Sequence, residues 1–133
     1  MERDFHLDIF KDGEWKVGSA SPLNTMAQLN PVACARYADA LLKELDDATI
    51  HCTIGDAATP LVDAYKQIHA LKNTVAATGC PSLLAACGSL QANASGGLAR
   101  AEAESVFLHI ARATRRLILG FRGGILGREP GPE

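Results

Sequence analysis

His69 is the residue whose neighbours most favour chemistry at a side chain. Leu61, Ile68 and Val75 recur at helical spacing and define the buried side of a predicted helix. On a helical wheel His69 falls on the flank of this apolar stripe, so its ring can rest on apolar neighbours while one nitrogen faces solvent or a partner protein. Histidine is largely neutral at cellular pH, which makes that nitrogen a usable nucleophile without a dedicated base. This geometry suits the in-line transfer of a phosphoryl group.

Lys72 is the candidate source of positive charge beside that nucleophile. It follows His69 by three residues, so its ammonium can reach the same surface and approach the phosphoryl oxygens. On an ideal wheel Lys72 lies close to the core direction, and its stem must run along the apolar stripe to expose the charge. Residues on the same and adjacent turns are expected to form a docking patch for a partner protein. They are Lys66, Gln67, Ala70, Lys72, Asn73 and Ala76.

Four amphipathic helices are predicted to position these side chains. In chain order they span about 30–52, 59–79, 81–95 and 99–121. Asn30-Pro31 and Thr59-Pro60 each place a capping residue before proline, as helix starts often do, and Gly79 suits a left-handed helix end. Helices joined by such short connectors must lie largely antiparallel to bury their apolar faces. The predicted fold is all-α, an up-and-down antiparallel four-helix bundle over residues 22–121.

The two ends of the chain are predicted to lie outside the bundle. Residues 1–21 form a short N-terminal appendage, in which alternating apolar residues and Asp12-Gly13 indicate a hairpin. Ser21-Pro22 then indicates the start of a short helix. Residues 122–133 are rich in Gly and Pro and are predicted to be a disordered tail.

Composition narrows the possible functions. A chain of 133 residues fits one domain, and 47% apolar with only 5% aromatic residues favours packed helices. A net charge of −2 means that the chain has no excess of positive charge with which to attract nucleic acid or anionic lipid. The longest apolar run is far shorter than the roughly 20 residues that cross a bilayer, so no direct membrane insertion is expected.

The cysteines and the N-terminal residues indicate a reducing compartment. The first ten residues lack the basic segment and apolar core of a signal peptide, which favours reduced thiols in a cytoplasmic protein or in the cytosolic domain of a membrane-bound one. Cys80 and Cys87 lie two helical turns apart, too far for one zinc ion. Buried structural thiols are therefore expected, and no metal site is predicted. The cysteines are Cys34, Cys52, Cys80 and Cys87.

The stretch around His69 resembles the histidine-containing phosphotransfer (HPt) domains of two-component phosphorelays. Their signature is His-x-Leu-Lys and then a small residue, usually Gly, with a further Gly ending the helix and a following helix that carries Leu and often Cys. The matching residues here are His69-Ala70-Leu71-Lys72-Asn73, Gly79, Leu83, Cys87 and Leu90. The resemblance covers the two central helices, and the flanking helical pattern agrees with the bundle of that family.

The resemblance implies a phosphorelay intermediate. His69 would be phosphorylated, Lys72 would be the charged helper, and the phosphoryl group would pass from one receiver-domain aspartate to another. The partners would be receiver domains of response regulators or a hybrid sensor histidine kinase, and the chain would act as a monomer. It would hold no cofactor, because the receiver supplies Mg²⁺. There is no glycine-rich ATP loop, so no autonomous kinase activity is expected.

Two other classes of function remain open at this point. Asn73 stands where the family usually has Gly, and its side chain can hinder a partner or hydrogen-bond the imidazole. The main alternative is a helical adaptor that binds a receiver or sensor kinase without being phosphorylated, a pseudo-HPt protein. A third class is the dimerising histidine helix pair of a sensor kinase. That class needs an acidic residue directly after the histidine, where this chain has Ala70.

Overall fold

The structure, a computed structural model, describes residues 15–128, and this part of the chain is all-helical with no strand. It contains five helices: α1 (Pro22–Leu29), α2 (Pro31–Ile50), α3 (Leu61–Ala76), α4 (Pro81–Ser95) and α5 (Arg100–Arg128). The all-α prediction is confirmed for this range, as is the short helix after Ser21.

Side chains just before α1 and α2 explain where these helices begin. Ser21 Oγ accepts a hydrogen bond from the Asn24 N–H at 3.0 Å, and Asn30 Oδ1 accepts one from the Ala33 N–H at 3.1 Å. Proline follows each cap, at a position whose N–H has no partner within the helix anyway. The predicted cap-and-proline starts at Ser21-Pro22 and Asn30-Pro31 are therefore confirmed. The one predicted at Thr59-Pro60 is wrong in its detail, because α3 begins at Leu61, after Pro60, with no side-chain cap hydrogen bond.

The C-terminal end of α3 is closed by the chain segment that precedes α1 and by the first turn of α1. The Gly18 N–H donates to the Thr78 carbonyl at 2.7 Å, and the Leu23 N–H donates to the Ala77 carbonyl at 3.1 Å. Gly79 turns the chain here with φ of +62°, and a Cβ on it would lie 2.7 Å from Ser21 Cβ. Both the backbone conformation and the close approach therefore require glycine.

The last helix is longer than the sequence indicated. The predicted disordered tail began at residue 122, but α5 continues to Arg128, so that prediction is wrong for residues 122–128. Two side chains explain the extension: Ile125 is buried, and Arg122 Nη2 donates to Asp39 Oδ2 of α2 at 3.0 Å. The stabilisation from these contacts offsets the conformational entropy that is lost when glycines in the last turns are held in a helix. Residues 129–133 lie outside the described range.

The predicted hairpin falls mostly outside the described range as well, because residues 1–14 are not part of it. Trp15 and Val17, from its second half, are described, and they pack against the core as irregular chain rather than as a strand. The segment just before α1 is therefore attached to the helices through both apolar contacts and the hydrogen bonds to the end of α3.

The core is formed by side chains from all five helices. α3 packs on α2 and α4, α5 packs on the same two helices, and α1 packs on α2. Among the largest fully buried side chains are Leu23, Leu45, Ile68, Leu90 and Phe107, one from each helix in chain order. Within residues 15–128, none of the helices combines the length and the apolar character needed to cross a bilayer.

The loop between α2 and α3 is fixed by hydrogen bonds from α5. Arg100 Nε donates to the Ile54 carbonyl at 2.7 Å, and its Nη2 donates to the carbonyls of Asp56 and Thr59 at 2.9 and 2.7 Å. One turn on, Glu104 accepts from the Gly55 N–H. These bonds hold the chain directly before α3 and so fix where that helix starts.

Candidate functional site

His69 lies on the exposed side of α3, directly above the core. Its neighbours Ile68 and Leu71 are each only 1% exposed, so the backbone that carries the histidine is fixed by packing. The His69 side chain itself is exposed. Neither ring nitrogen makes a hydrogen bond or ion pair with another residue in the range 15–128. Both nitrogens can therefore be reached by a reactant from solvent.

The histidine sits in a shallow, open groove between α3 and α4. Most of the wall comes from α3, and α4 supplies one residue. The lining residues are Val62, Tyr65, Lys66, His69, Ala70, Asn73 and Gln91. The groove has an apolar floor and several polar side chains at its edge, an arrangement that can hold a small charged group beside an apolar contact surface.

Three of the predicted patch residues share this groove with His69. Lys66 lies one turn before the histidine and Asn73 one turn after it, and both are exposed. Ala70 follows the histidine directly and adds only a methyl group to the surface. Side chains three and four residues apart on a helix are neighbours on the same face. Lys66 and Asn73 therefore flank the imidazole from both ends.

Gln67 and Ala76, also predicted for the patch, do not line the groove. The Gln67 amide faces the α2–α3 loop, where its Nε2 donates to Thr53 Oγ1 at 2.8 Å and its Oε1 accepts from the Thr53 N–H at 3.0 Å. Ala76 is exposed on the last turn of α3, beyond the groove. In this structure Gln67 holds the loop in place.

Lys72 is half-buried and lies toward α4 rather than in the groove lining. Burial raises the pKa of the Cys87 thiol to about 12, and the positive charge of Lys72 acts in the opposite direction. Lys72 is therefore close enough to Cys87 for its charge to favour the thiolate. The cation that borders the same groove as His69 is Lys66.

Three residues that line the groove were not predicted from the sequence. Val62 and Tyr65 precede His69 by seven and four positions, a spacing that places them on its face, so a helical wheel contains the signal for both. Gln91 comes from α4, and no spacing rule within α3 points to it. Its side-chain amide makes no hydrogen bond to another described residue, so it is available to a ligand in the groove.

Acidic side chains of α2 lie beside the opposite flank of α3. A second depression lies between α2 and α3, where Glu44 and Asp47 of α2 line it together with Ala70 and Thr74. Thr74 Oγ1 donates to Glu44 Oε1 at 3.0 Å. Ala70 borders both depressions, so the surface around His69 changes from basic near Lys66 to acidic on the α2 side.

In residues 15–128 no group of three or more His, Cys, Asp and Glu side chains is arranged to hold a metal ion. Protein-family models, curated proteins and solved structures were compared with this chain, and none of the three comparisons gives a match. The functional interpretation of the groove therefore rests on its residues and their geometry.

Proposed function

We propose that α2 to α5 form an antiparallel four-helix bundle of the HPt kind, to which α1 and the preceding segment are attached. The packing pattern supports it, because α3 and α5 each contact both α2 and α4, as two opposite members of a ring of four do. Short connections support it too: residues 77–80 join α3 to α4, and residues 96–99 join α4 to α5.

Within this bundle the chain acts as a phosphorelay intermediate that carries the phosphoryl group on His69. The observation that carries the proposal is the exposed imidazole, whose two nitrogens have no partner within residues 15–128, on a helix anchored in the core by buried Ile68, Leu71 and Val75. A nucleophile of this kind is accessible yet held in position, as in-line displacement requires. The motif His69-Ala70-Leu71-Lys72 adds the resemblance to the HPt family.

The transfer needs only the imidazole and a phosphorylated carboxylate. The Nε2 lone pair of the neutral ring forms the N–P bond, while the P–O bond to the receiver aspartate breaks and its electron pair returns to the carboxylate. The ring keeps its Nδ1 proton, and the reverse reaction with a second receiver restores the free imidazole. A Mg²⁺ ion would be held by acidic residues of the receiver rather than by this chain, and it would neutralise part of the charge on the phosphoryl oxygens.

The groove fits a partner that covers it with a convex surface. Apolar contact is offered by Val62, Tyr65 and Ala70, and the change from basic to acidic charge across Ala70 can fix the orientation of the partner. The partners are receiver domains of response regulators or of a hybrid sensor histidine kinase. The chain works as a monomer in the cytoplasm, or as a cytosolic domain of such a kinase, and has no kinase activity of its own.

Transfer of radioactive phosphate from a phosphorylated receiver tests this function. The wild-type protein should acquire an acid-labile, alkali-stable label, and His69→Gln should abolish it. His51→Gln is the matched control, because His51 is also exposed but lies at the end of α2. Label that persists in His69→Gln, or its absence from wild type with every receiver, would overturn the proposal. Receiver binding without any label would favour the adaptor.

A further inference from the structure

Lys66 and Asn73 bring two hydrogen-bond donors to the face of α3 that carries His69. Both side chains are exposed, and neither makes a hydrogen bond or ion pair with another residue in the described range. Elsewhere on the same helix, by contrast, Gln67 is bonded to Thr53 and Thr74 to Glu44. Their donors are therefore not committed to holding the fold together.

The spacing of the two residues places them on either side of the reacting atom. Lys66 precedes His69 by three positions and Asn73 follows it by four, and both line the groove with the imidazole. Such neighbours have Cβ atoms about 5–6 Å apart, within reach of a group of phosphoryl size attached to the ring. A lysine ammonium offers three N–H donors and an asparagine amide two.

We propose that Lys66 and Asn73 hold the phosphoryl group on His69, with Lys66 supplying the positive charge and Asn73 a neutral amide donor to its oxygens. This rests on the proposed function and changes the assignment of the charged helper, because the resemblance gave that role to Lys72. In the structure Lys72 is half-buried and is not among the residues that line the groove. Asn73 is then a functional substitution at the position where the HPt family usually has Gly.

The chemistry favours donors placed in this way. During phosphoryl transfer negative charge is spread over three equatorial oxygens while the entering and leaving atoms stay in line. Donors that approach from the helix surface contact these oxygens without blocking the line between His69 Nε2 and the leaving group. Hydrogen bonds to a charged group are shorter and stronger than those between neutral groups.

A small phosphodonor separates this role from partner docking. Phosphoramidate can phosphorylate the imidazole with loss of ammonia: the N–P bond of the reagent breaks as the Nε2–P bond forms. No receiver takes part, so a residue that serves docking alone has no effect on this rate. Lys66→Gln and Asn73→Asp should each slow the reaction by about three- to tenfold, because Lys66→Gln removes a positive charge beside the phosphoryl oxygens and Asn73→Asp replaces an amide donor with a carboxylate that repels them.

Arg112→Gln is the control, since it removes an exposed positive charge from α5, outside the groove lining, and its rate should stay close to wild type. Lys72→Gln is the comparison variant for the new assignment of the helper, and its rate should fall less than that of Lys66→Gln. Binding can be read directly in the wild-type protein, where phosphorylation of His69 should shift the NMR signals of the Asn73 side-chain amide. Far-UV circular dichroism checks that each variant keeps the wild-type helix content.

The possible outcomes distinguish this inference from the function on which it rests. If His69 is labelled but Lys66→Gln and Asn73→Asp react at the wild-type rate, the inference is overturned and the phosphorelay role stands. A fall in Lys72→Gln as large as in Lys66→Gln would overturn the new assignment of the helper. If wild type is labelled neither by phosphoramidate nor by any receiver, both proposals fail.

Discussion

His69 lies next to one of the most deeply buried residues of the chain. Ile68 before it and Leu71 after it are almost fully excluded from water, so the imidazole has little freedom to shift along or around the helix. Exposure and positional order rarely occur together in a long polar side chain, because ordering costs rotamer entropy. Histidine has a short, stiff side chain, and the buried Ile68 and Leu71 fix the stretch of helix that carries it.

The buried thiol of Cys87 gives a prediction about alkaline pH. Burial raises the pKa of this thiol to about 12, whereas a cysteine in an unfolded chain has a pKa of about 8.5. Between these values the unfolded chain binds fewer protons than the folded one, so the free energy of unfolding falls as pH rises. The slope from this group approaches about 1.4 kcal/mol per pH unit.

Cys87→Ala and Cys87→Ser should both lose that part of the slope, although the two variants differ in stability at neutral pH. The measurement is urea unfolding at a series of pH values above 8, with the pH dependence of each variant compared with wild type. Cys34 and Cys52, whose thiol pKa values are also raised by burial, stay in every variant and cancel in the comparison. Equal slopes in wild type and both variants would contradict the prediction.

The sequence predicted the site residues on α3 better than those that come from elsewhere. Lys66, Ala70 and Asn73 follow from the position of His69 on a helical wheel, and the structure places all three in its groove. Gln67 lies two positions from His69 and so on a different face of the helix, and its amide is bonded to Thr53 in a loop whose path no periodicity encodes. Predicting Gln91 as a groove residue would have required knowing how α4 packs on α3, and this depends on the tertiary structure.

Helix ends carry much of the information that the sequence provides about α1 to α4. Proline after a capping residue marks the starts of α1 and α2, and Gly79 marks the turn after α3. The end of α5 was missed because local propensity and tertiary contacts disagree there. Gly123 and Gly124 disfavour a helix, yet the buried Ile125 continues it.

Replacing Gly79 with alanine tests the turn that follows α3. A Cβ in the left-handed conformation is strained, and here it would also press on Ser21, so Gly79→Ala should lower the free energy of unfolding by about 1–3 kcal/mol. Gly88→Ala is the matched control in the interior of α4, where a Cβ would meet no atom within 4 Å. Alanine should stabilise that helix by about 0.5–1 kcal/mol.

Urea unfolding of the two variants measures both effects under the same conditions. Gly79 directly follows the two carbonyls that accept hydrogen bonds from the Gly18 and Leu23 amides. Its replacement should therefore also speed hydrogen exchange at these two amides. An unchanged stability in Gly79→Ala would show that the turn does not need a left-handed residue.

Across the whole molecule, one continuous core connects the five helices to the segment before α1. Phe107 of α5 is the largest fully buried side chain in the described range, and Trp15, the only tryptophan of the chain, packs against the same core. All-α architecture followed from composition and periodicity. The attachment of residues 15–21 did not, because it depends on backbone hydrogen bonds that no side-chain pattern records.

A shared core predicts a single unfolding transition. Trp15 fluorescence and far-UV circular dichroism should give coincident urea unfolding curves, because the segment and the helices lose their packing together. Phe107→Ala should lower the free energy of unfolding by about 3–5 kcal/mol and shift both curves equally. A fluorescence change at lower urea than the loss of helix would mean that the segment detaches before the core unfolds.

The two hydrogen bonds from Gly18 and Leu23 to the end of α3 have a mechanical consequence. A protein or tag fused upstream of Trp15 would pull on the last turn of the histidine helix, which ends seven residues, or about 10 Å, beyond His69. Trp15 and Val17 share a groove with Leu117 and Phe121 of α5, so tension applied at that side of the chain would act on α5 as well as on the end of α3. A fluorophore placed near residue 16 would therefore report strain where this segment meets α5.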